Sequence, residues 1–441
     1  MTRALRGSTL SWKGTSGRTR DEGSGLPQRP ISSTRLSFRA GHRVRGSTAA
    51  RALLDEDPTT TSTTSTTYLK DFTLEELGDY CEKELEEPRK RARHVWTHLY
   101  GDAYLKSEWE DEGQGNGEDM GFSQRFLSKV GEKRVEPGAG MTLTDSRSAS
   151  DGTTKLIFQR EADGLNIETV LIPVDKEGSK PRVTVCVSSQ VGCAMGCKFC
   201  YTGLMGLQAN LTAGEIVEQV VQAKRMQRGT HLPVTNIVFM GMGEPFHNLD
   251  AVLKAIKILT TESKGYTQFS QRKITVSTVG LVPEMRRFAQ ETDAQLALSL
   301  HATTEESRSS IVPTNNKYSL KEVVETLEEL FPKGRTKGSH GRHVLIEYVM
   351  LEGVNDTTSD AKRLVKLLEN VEAKVNLLVF NTFEGSPFVP ADMDAVKNFR
   401  AHLVSQNLVC TIRDSRGDDK MAACGQLGLG KKKKTGVLGQ I

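Results

Sequence analysis

Residues 181–201 read PRVTVCVSSQVGCAMGCKFCY, a short apolar strand followed at once by a segment with cysteines at 193, 197 and 200. This strand, 183–189, is the first of six predicted from short runs of apolar residues. Amphipathic helices such as 213–226 and 392–404 fit between the strands, and the second helix carries Met393, Val396, Phe399 and Leu403 on one face. The alternation predicts an α/β fold with a parallel sheet, either doubly wound or closed into a complete or partial barrel. The other five predicted strands are 235–240, 273–278, 294–300, 343–351 and 374–380.

The spacing C-x3-C-x2-C of Cys193, Cys197 and Cys200 indicates a metal group. Both architectures bind ligands at the carboxyl ends of their strands, so the segment is expected over the mouth of the sheet. Four thiolates would close a zinc or iron–sulfur site, whereas three leave one metal position free for a ligand. We therefore favour a [4Fe–4S] cluster. The alternative is a structural zinc ion completed by a distant His or Cys, although structural zinc usually takes its ligands as separated pairs.

Composition divides the 441-residue chain into parts. Residues 1–50 carry ten Lys or Arg and two acidic residues, a charge of +8, which leaves −4 for the remainder. This Arg-rich and Ser-rich head is typical of an organelle transit peptide, and a disordered basic tail is the alternative. With PTTTSTTSTT at 58–67, a low-complexity linker, it makes up a disordered region 1–67. Seven clustered cysteines favour a reducing compartment, and no apolar run is long enough to span a bilayer.

Three further parts are predicted after the linker. A capping box at Thr73 and Glu76 begins one helix, and Val95 and Leu99 indicate a second after a stop at Pro88, so 68–150 is interpreted as a small helical N-terminal domain. Residues 151–430 form the parallel α/β domain, and 431–441 form a basic tail. The Gly-rich acidic stretch 110–119 is expected to be an exposed loop.

Several motifs carry a resemblance to a known family. The cysteine motif, with Phe199 before its last Cys, resembles the signature of radical S-adenosylmethionine (SAM) enzymes, and GMGEP at 241–245 resembles their second motif, which contacts the SAM amino group. The similarity extends over about residues 68–430 to the RlmN-type adenine methyltransferases. It is carried by CVSSQVGC (186–193), FMGMGEP (239–245), VSTVGLVP (276–283), LSLHA (298–302), IEYVML (346–351) and RGDDKMAACGQL (416–427).

The resemblance implies a partial (β/α)6 radical SAM barrel that adds a methyl group to C2 of an adenine in large-subunit rRNA, and often in tRNA. It implies a [4Fe–4S] cluster on Cys193, Cys197 and Cys200, two SAM molecules per turnover, a flavodoxin-like or ferredoxin-like electron donor, and a monomer that acts without a membrane. The positions matching the family's SAM site are Gly243, Glu244, Ser277, Ser299, Leu300, His301 and Asn381.

The resemblance also implies roles for three further residues. In the family scheme one SAM methylates Cys424, and a radical from a second SAM removes hydrogen from that methyl group, which then adds to the adenine. Cys186 matches the thiol that releases the product by forming a disulfide with Cys424. Glu168 matches a proton acceptor, and whether Glu168 or Cys186 takes the adenine proton stays open. Without the resemblance, Cys186 would be interpreted as a buried apolar residue and Glu168 as a solvated strand edge, and Cys81 and Cys410 are taken as packing residues.

Contacts with RNA are the least visible property, because the folded part has no overall positive charge. Arg413, Arg416 and the lysine run 431–434 flank Cys424 and could bind phosphate, and a solvated tail is the alternative for the lysines. Other hypotheses are a radical SAM enzyme with a small-molecule or peptide substrate, adenine methylation at C8, and a zinc module that binds RNA without catalysis. The chloroplast is the favoured compartment over the mitochondrion, and the cytoplasm is the alternative.

Overall fold

The computed structural model describes residues 66–101, 122–262, 269–334, 342–413 and 416–428, which all belong to one compact unit. The predicted transit peptide, the acidic stretch 110–119 and the basic tail 431–441 lie outside the described residues.

Strands within these ranges form three sheets, of which one has ten strands. Its order is β14-β13-β12-β11-β10-β9-β6-β5-β4-β3, and the two small sheets are β1-β2 and β7-β8. The bounds are β1 (Thr67–Tyr68), β2 (Val135–Glu136), β3 (Met141–Ser148), β4 (Thr154–Arg160), β5 (Asn166–Val174), β6 (Arg182–Cys186), β7 (Gln190–Cys193), β8 (Gly206–Asn210), β9 (Val234–Phe239), β10 (Ile274–Thr278), β11 (Gln295–Ser299), β12 (Val344–Met350), β13 (Ala373–Val379) and β14 (Val409–Arg413).

The order of the parallel strands selects the partial barrel over the doubly wound sheet. From β6 and β9 to β14 each strand pairs in parallel with the previous one, and the order never reverses. A doubly wound sheet would reverse its order at a switch point. The ends of the sheet, β3 and β14, do not pair with each other, so the barrel is open.

The six predicted strands are confirmed, but the sheet is larger than predicted. Strand β14 adds a seventh parallel strand, and β3, β4 and β5 extend the sheet antiparallel from β6. Strands β3 and β14 were missed because their residues are largely polar or partly exposed; β3 reads MTLTDSRS and alternates between covered and exposed positions. Strands β4 and β5 are mostly buried, and they were missed although they contain apolar runs. The sequence suggested that the barrel domain starts after residue 150. Strand β3 lies before that residue and β4 after it, and the two pair in one sheet, so the sheet continues across the predicted boundary.

Helices follow most of the parallel strands, and α1, α2 and α3 precede the large sheet in the chain. The predicted capping box at Thr73 is present, and helix 392–404 is found one residue later, with Met393 exposed rather than on the buried face. None of the described helices is both long and apolar enough to cross a membrane. They are α1 (Leu74–Lys83), α2 (Arg91–Tyr100), α3 (Gln124–Glu132), α4 (Tyr201–Leu204), α5 (Ala213–Gln227), α6 (Leu249–Thr260), α7 (Val282–Glu291), α8 (Glu305–Ile311), α9 (Leu320–Leu330), α10 (Thr358–Leu367) and α11 (Met393–Ser405).

The turn before α1 is fastened to α5 by buried polar contacts. Lys70 forms an ion pair with Glu218, and both side chains are buried. Asp71 accepts a hydrogen bond from the backbone N–H of Gly214, in the first turn of α5, at 2.7 Å. The turn before α1 is thereby attached to the barrel through α5.

We predict that Lys70→Met destabilises the protein by about 3 kcal/mol, because it leaves Glu218 buried without its main cation. Burial raises the pKa of Glu218, but the charge of Lys70 outweighs it and the net pKa is lowered. A lowered carboxyl pKa stabilises the folded state above the unfolded value and loses that effect as the pH falls. The difference between wild type and variant should therefore be largest near neutral pH and shrink below about pH 4.5.

Urea unfolding at pH 7 and pH 4 measures this difference, and Lys83→Met, at an exposed position of α1, is the matched control. Equal stabilities of Lys70→Met and Lys83→Met at pH 7 would contradict the prediction.

Candidate active site

A cavity opens at the carboxyl ends of the parallel strands, where the sequence placed the site. Its empty space, including the mouth, is about 1010 Å³. The three cysteines of the motif line it. Other lining residues come from the ends of β10 to β14 and from residues after them, including Ser277, Ser299, Asn381 and Arg413. We call it the main cavity.

The cysteine motif is built on a hairpin rather than on an open loop. Cys193 ends β7, which pairs antiparallel with β8, and Cys200 is the residue before α4. Gly192 makes this pairing possible, because it has φ 73° and a Cβ there would lie 1.8 Å from the carbonyl oxygen of Gly206. The backbone N–H of Lys198 donates to the carbonyl of Ile311 at 3.0 Å, which holds the turn against the end of α8.

The three thiols line the main cavity; Cys197 is buried, and Cys193 and Cys200 are half-buried. Burial raises the pKa of Cys193 to about 12 and that of Cys197 well above its usual value, and it also raises the pKa of Cys200. Buried thiols of this kind ionise only when a cation compensates their charge.

Three cysteine thiolates are suitable ligands for a [4Fe–4S] cluster. Within the described part of the chain, no three His, Cys, Asp or Glu side chains converge closely enough to share a single metal ion. A [4Fe–4S] cluster takes each thiolate on a different iron, so its ligands need not meet at one point. The donor set of Cys193, Cys197 and Cys200 therefore fits a [4Fe–4S] cluster with one iron left open.

The second motif, GMGEP, packs directly against the strand that leads to the cysteines. A Cβ on Gly243, whose φ is 102°, would lie 2.6 Å from Cβ of Gln190, so only glycine permits this approach. The carboxylate of Glu244 accepts from the backbone N–H groups of Phe246 at 3.1 Å and Val279 at 3.0 Å. Burial raises the pKa of Glu244 to about 7. Gly243 and Glu244 both line the main cavity.

Most of the other positions predicted for SAM also face this cavity. The hydroxyls of Ser277 and Ser299 lie 3.1 Å apart at the ends of neighbouring strands. His301, with φ 59°, accepts a hydrogen bond on Nδ1 from the N–H of Val349 at 3.0 Å. Burial, with a smaller contribution from Arg308, lowers the pKa of His301 to about 3, so the ring is neutral. Leu300 differs, because it is buried in the core directly after β11 and does not line the cavity.

One carboxylate that the sequence analysis did not single out faces the main cavity. Glu347, in the middle of β12, is 3% exposed; its Oε1 accepts from Asn376 at 3.0 Å. Its Oε2 has no hydrogen-bond partner among the described residues. An unpaired buried acceptor at a cavity wall fits a ligand that brings hydrogen-bond donors, as the hydroxyl and amino groups of SAM would. A charged residue inside the apolar strand VLIEYVM was the signal that could have identified it.

Arg413 lies at the cavity wall rather than at an outer phosphate-binding surface. It lines the main cavity and a smaller neighbouring one, and its guanidinium contacts the sulfur of Met240 at 3.6 Å. Burial alone would lower the pKa of Arg413, but the nearby thiols Cys424 and Cys186 and the carboxylate of Glu347 raise it. Arg416 also lines the smaller cavity and lies 3.8 Å from Asp151.

Cys424 lies on the wall that the two cavities share. It belongs to residues 416–428, which we call the thiol loop, and it lines both cavities. Cys186 lines only the smaller cavity of the two. Burial raises the pKa of Cys186 to about 12, with Cys424 adding to the rise and Arg413 opposing it. Cys424 is exposed, yet the protein atoms around its thiol raise its pKa as well.

Glu168 is neither at a solvated strand edge nor at a cavity wall. It is 4% exposed and forms an ion pair with Lys155 at 3.3 Å. It lines neither of the two cavities, although its carboxylate accepts a hydrogen bond from the backbone N–H of Gly428 in the thiol loop. Cys81 and Cys410 are buried in the core, as the packing interpretation predicted.

Comparison with known proteins finds close relatives over most of the chain. Residues 187–368 match the model of the Radical SAM superfamily. The chain is 44% identical to the dual-specificity RNA methyltransferase RlmN of Geotalea uraniireducens, over 81% of this chain and 96% of that protein. It is 42% identical to the RlmN of Syntrophobacter fumaroxidans, over 81% of this chain and 97% of that protein. The crystal structure of a radical SAM methyltransferase from Sphaerobacter thermophilus superposes with a TM-score of 0.72 at 38% identity, over 82% of this chain and 99% of that one.

We predict that Cys197→Ser removes most of the iron and acid-labile sulfide after anaerobic reconstitution, because two thiolates cannot hold the cluster that three hold. Cys410→Ala, which alters a buried thiol away from both cavities, is the control and should retain both. Zinc in place of iron and sulfide in the wild-type protein would contradict the cluster assignment.

A second prediction concerns the reactivity of the two thiols near Arg413. In the cluster-loaded protein, iodoacetamide at pH 8 should modify Cys424 at least about tenfold faster than Cys186, because Cys186 is buried and Cys424 is exposed. Peptide mass spectrometry against time measures both rates, with labelling in urea as the reference for equal access. Equal rates in the folded protein would show that Cys186 is as accessible to the reagent as Cys424, which would contradict its buried position.

Proposed function

The chain belongs to the RlmN family of radical SAM RNA methyltransferases, and on this premise we propose that it methylates C2 of an adenine in large-subunit rRNA through a methylated Cys424. As a member of that family it is a SAM-dependent RNA methyltransferase that uses a [4Fe–4S] cluster and two SAM molecules per turnover. The observation that carries the proposal is the position of Cys424. Cys424 lines both the main cavity, which the cysteine motif also lines, and the smaller cavity, which Cys186 lines.

The main cavity binds and orients the cofactors. Cys193, Cys197 and Cys200 would hold the cluster, and Gly243 and Glu244, which line the same cavity, would receive the amino end of SAM. When bound, the cluster and SAM supply the methyl group and the one-electron chemistry that activates it. This chemistry is needed because the C–H bond at C2 of adenine is not acidic and the carbon is electrophilic, so the ring does not attack a methyl donor.

The remaining cofactor positions shape the rest of the cavity. Ser277, Ser299, Asn381 and the free oxygen of Glu347 provide polar groups for the nucleoside part of SAM. Neutral His301 packs edge-on against Phe199, with ring centroids 4.6 Å apart, and closes the cavity between the cysteine motif and β11.

Cys424 and Cys186 carry the covalent steps. Cys424 accepts the methyl group and presents it to the base. Release follows when the thiolate sulfur of Cys186 attacks the sulfur of Cys424. The bond from that sulfur to the methylene carbon breaks, and the carbon keeps the electron pair and takes up a proton to become the methyl group. A disulfide between Cys186 and Cys424 remains. Attack requires a thiolate, and the guanidinium of Arg413 is the nearby cation that favours it against the burial that raises the pKa of Cys186.

The proposal extends to partners and compartment. The relatives are named dual-specificity enzymes, which supports tRNA as a second substrate. The target adenine must leave its stack to reach the cavity. A flavodoxin-like or ferredoxin-like protein supplies electrons to a monomeric enzyme. The Arg-rich and Ser-rich first 50 residues support import into an organelle, the chloroplast before the mitochondrion.

Incubation of the reconstituted protein with SAM, a reductant and unmodified large-subunit rRNA should yield 2-methyladenosine, as identified by mass spectrometry of the digested RNA. Cys424→Ala should abolish the product, whereas Cys81→Ala, in the buried face of α1, should retain it. Formation of 8-methyladenosine would move the reaction to C8. Cleavage of SAM without any methylated adenosine would direct the search to a substrate other than RNA.

A further inference from the structure

The thiol loop is held against the barrel from several sides. The backbone N–H of Tyr201, at the start of α4, donates to the carbonyl of Gly425 at 2.8 Å. On another side, Asn381 donates from Nδ2 to the carbonyl of Cys424 at 3.1 Å. These contacts come from the cysteine motif and from the residues after β13. A further set comes from the antiparallel strands β4 and β5, which are outside the parallel barrel.

The contact with β4 and β5 is made by a buried ion pair. Lys155 in β4 and Glu168 in β5 are 1% and 4% exposed. Nζ of Lys155 donates to the carbonyl oxygen of Met421 at 3.0 Å, and the backbone N–H of Gly428 donates to Oε2 of Glu168 at 3.1 Å. The pair therefore binds the thiol loop on both sides of Cys424, three residues before it and four residues after it.

A charged pair is a costly way to fill a sheet interior, because both charges lose their hydration. Two apolar side chains of similar size would stabilise the sheet as well or better. Apolar side chains could not donate to the carbonyl of Met421 or accept from the N–H of Gly428. The loop contacts are thus the property that the charged pair supplies and an apolar pair would lack.

We propose that Lys155 is a positioning residue which, with Glu168, fixes the thiol loop so that Cys424 lies on the wall shared by the two cavities. Glu168 then acts through the loop, since both of its oxygens are bound by Lys155 and one also by the loop, and it lines neither cavity. The inference rests on the proposed role of Cys424 in methyl transfer.

The test compares full-length, cluster-loaded variants. Lys155→Met/Glu168→Met removes both charges together, so no buried charge is left unpaired, and it removes both side-chain contacts with the loop. Lys155→Arg keeps a cation that can donate to the same carbonyl. Lys374→Met, at an exposed position of β13, is the matched lysine control.

Two readouts report on the loop without requiring turnover. The first is amide hydrogen exchange of residues 416–428. The second is the effective concentration of Cys186 and Cys424 for disulfide formation, measured in glutathione buffers. Iron content and the melting temperature show whether each variant is folded and loaded.

In the double variant we expect near-normal iron content and melting temperature, amide exchange of the loop about tenfold faster, and an effective concentration lower by a similar factor. Lys155→Arg and Lys374→Met should behave as wild type. Wild-type exchange in the double variant would overturn the inference. Failure of the double variant to fold would also overturn it, because the pair would then serve the sheet rather than the loop.

The two proposals fail separately. Faster exchange in the double variant, together with no methylated adenine from the wild type, would retain the positioning role and remove the proposed reaction. Unchanged exchange in the double variant, together with 2-methyladenosine from the wild type, would retain the proposed reaction and remove the positioning role.

Discussion

Parallel pairing of seven neighbouring strands places the functional side chains of this protein at one edge of the sheet. Because β6 and β9 to β14 all run in the same direction, residues far apart in sequence meet at their carboxyl ends. The loops at this edge also need to be held together. Arg308, which is fully buried, donates to the carbonyl oxygens of Leu300 at 3.1 Å and Val279 at 2.6 Å and so joins the ends of β10 and β11. Burial lowers the pKa of Arg308 to about 10, a value at which it still carries its charge near neutral pH.

How much the sequence reveals depends on where a residue's partners lie. The buried parallel strands were predictable because an apolar run is itself the signal, and Cys193, Cys197 and Cys200 were predictable from their spacing. Strands β3 and β14 were not, because one face of each is polar and alternation in a short segment also suits an exposed loop. The role of Lys155 was invisible, since its carbonyl partner Met421 lies 266 residues away.

The site also shows how one cation can serve two thiols. Arg413 lies at the wall of both cavities, and its charge opposes the rise in pKa that burial imposes on Cys186 and on Cys424. Arginine suits this position because its guanidinium stays charged when it is buried. The same side chain would be much less effective at the outer surface, where solvent and salt screen its charge.

The three thiols of the motif and the oxygen of Glu347 that lacks a hydrogen bond also bear on the protein's lifetime in a cell. A cluster and SAM that bind at these groups bind the folded state only, so their binding adds its free energy to that of folding. The fraction of molecules that unfold, and are therefore open to proteases, rises when the cluster is not supplied. The abundance of this protein should consequently follow the iron supply of its compartment, without any regulator of its synthesis.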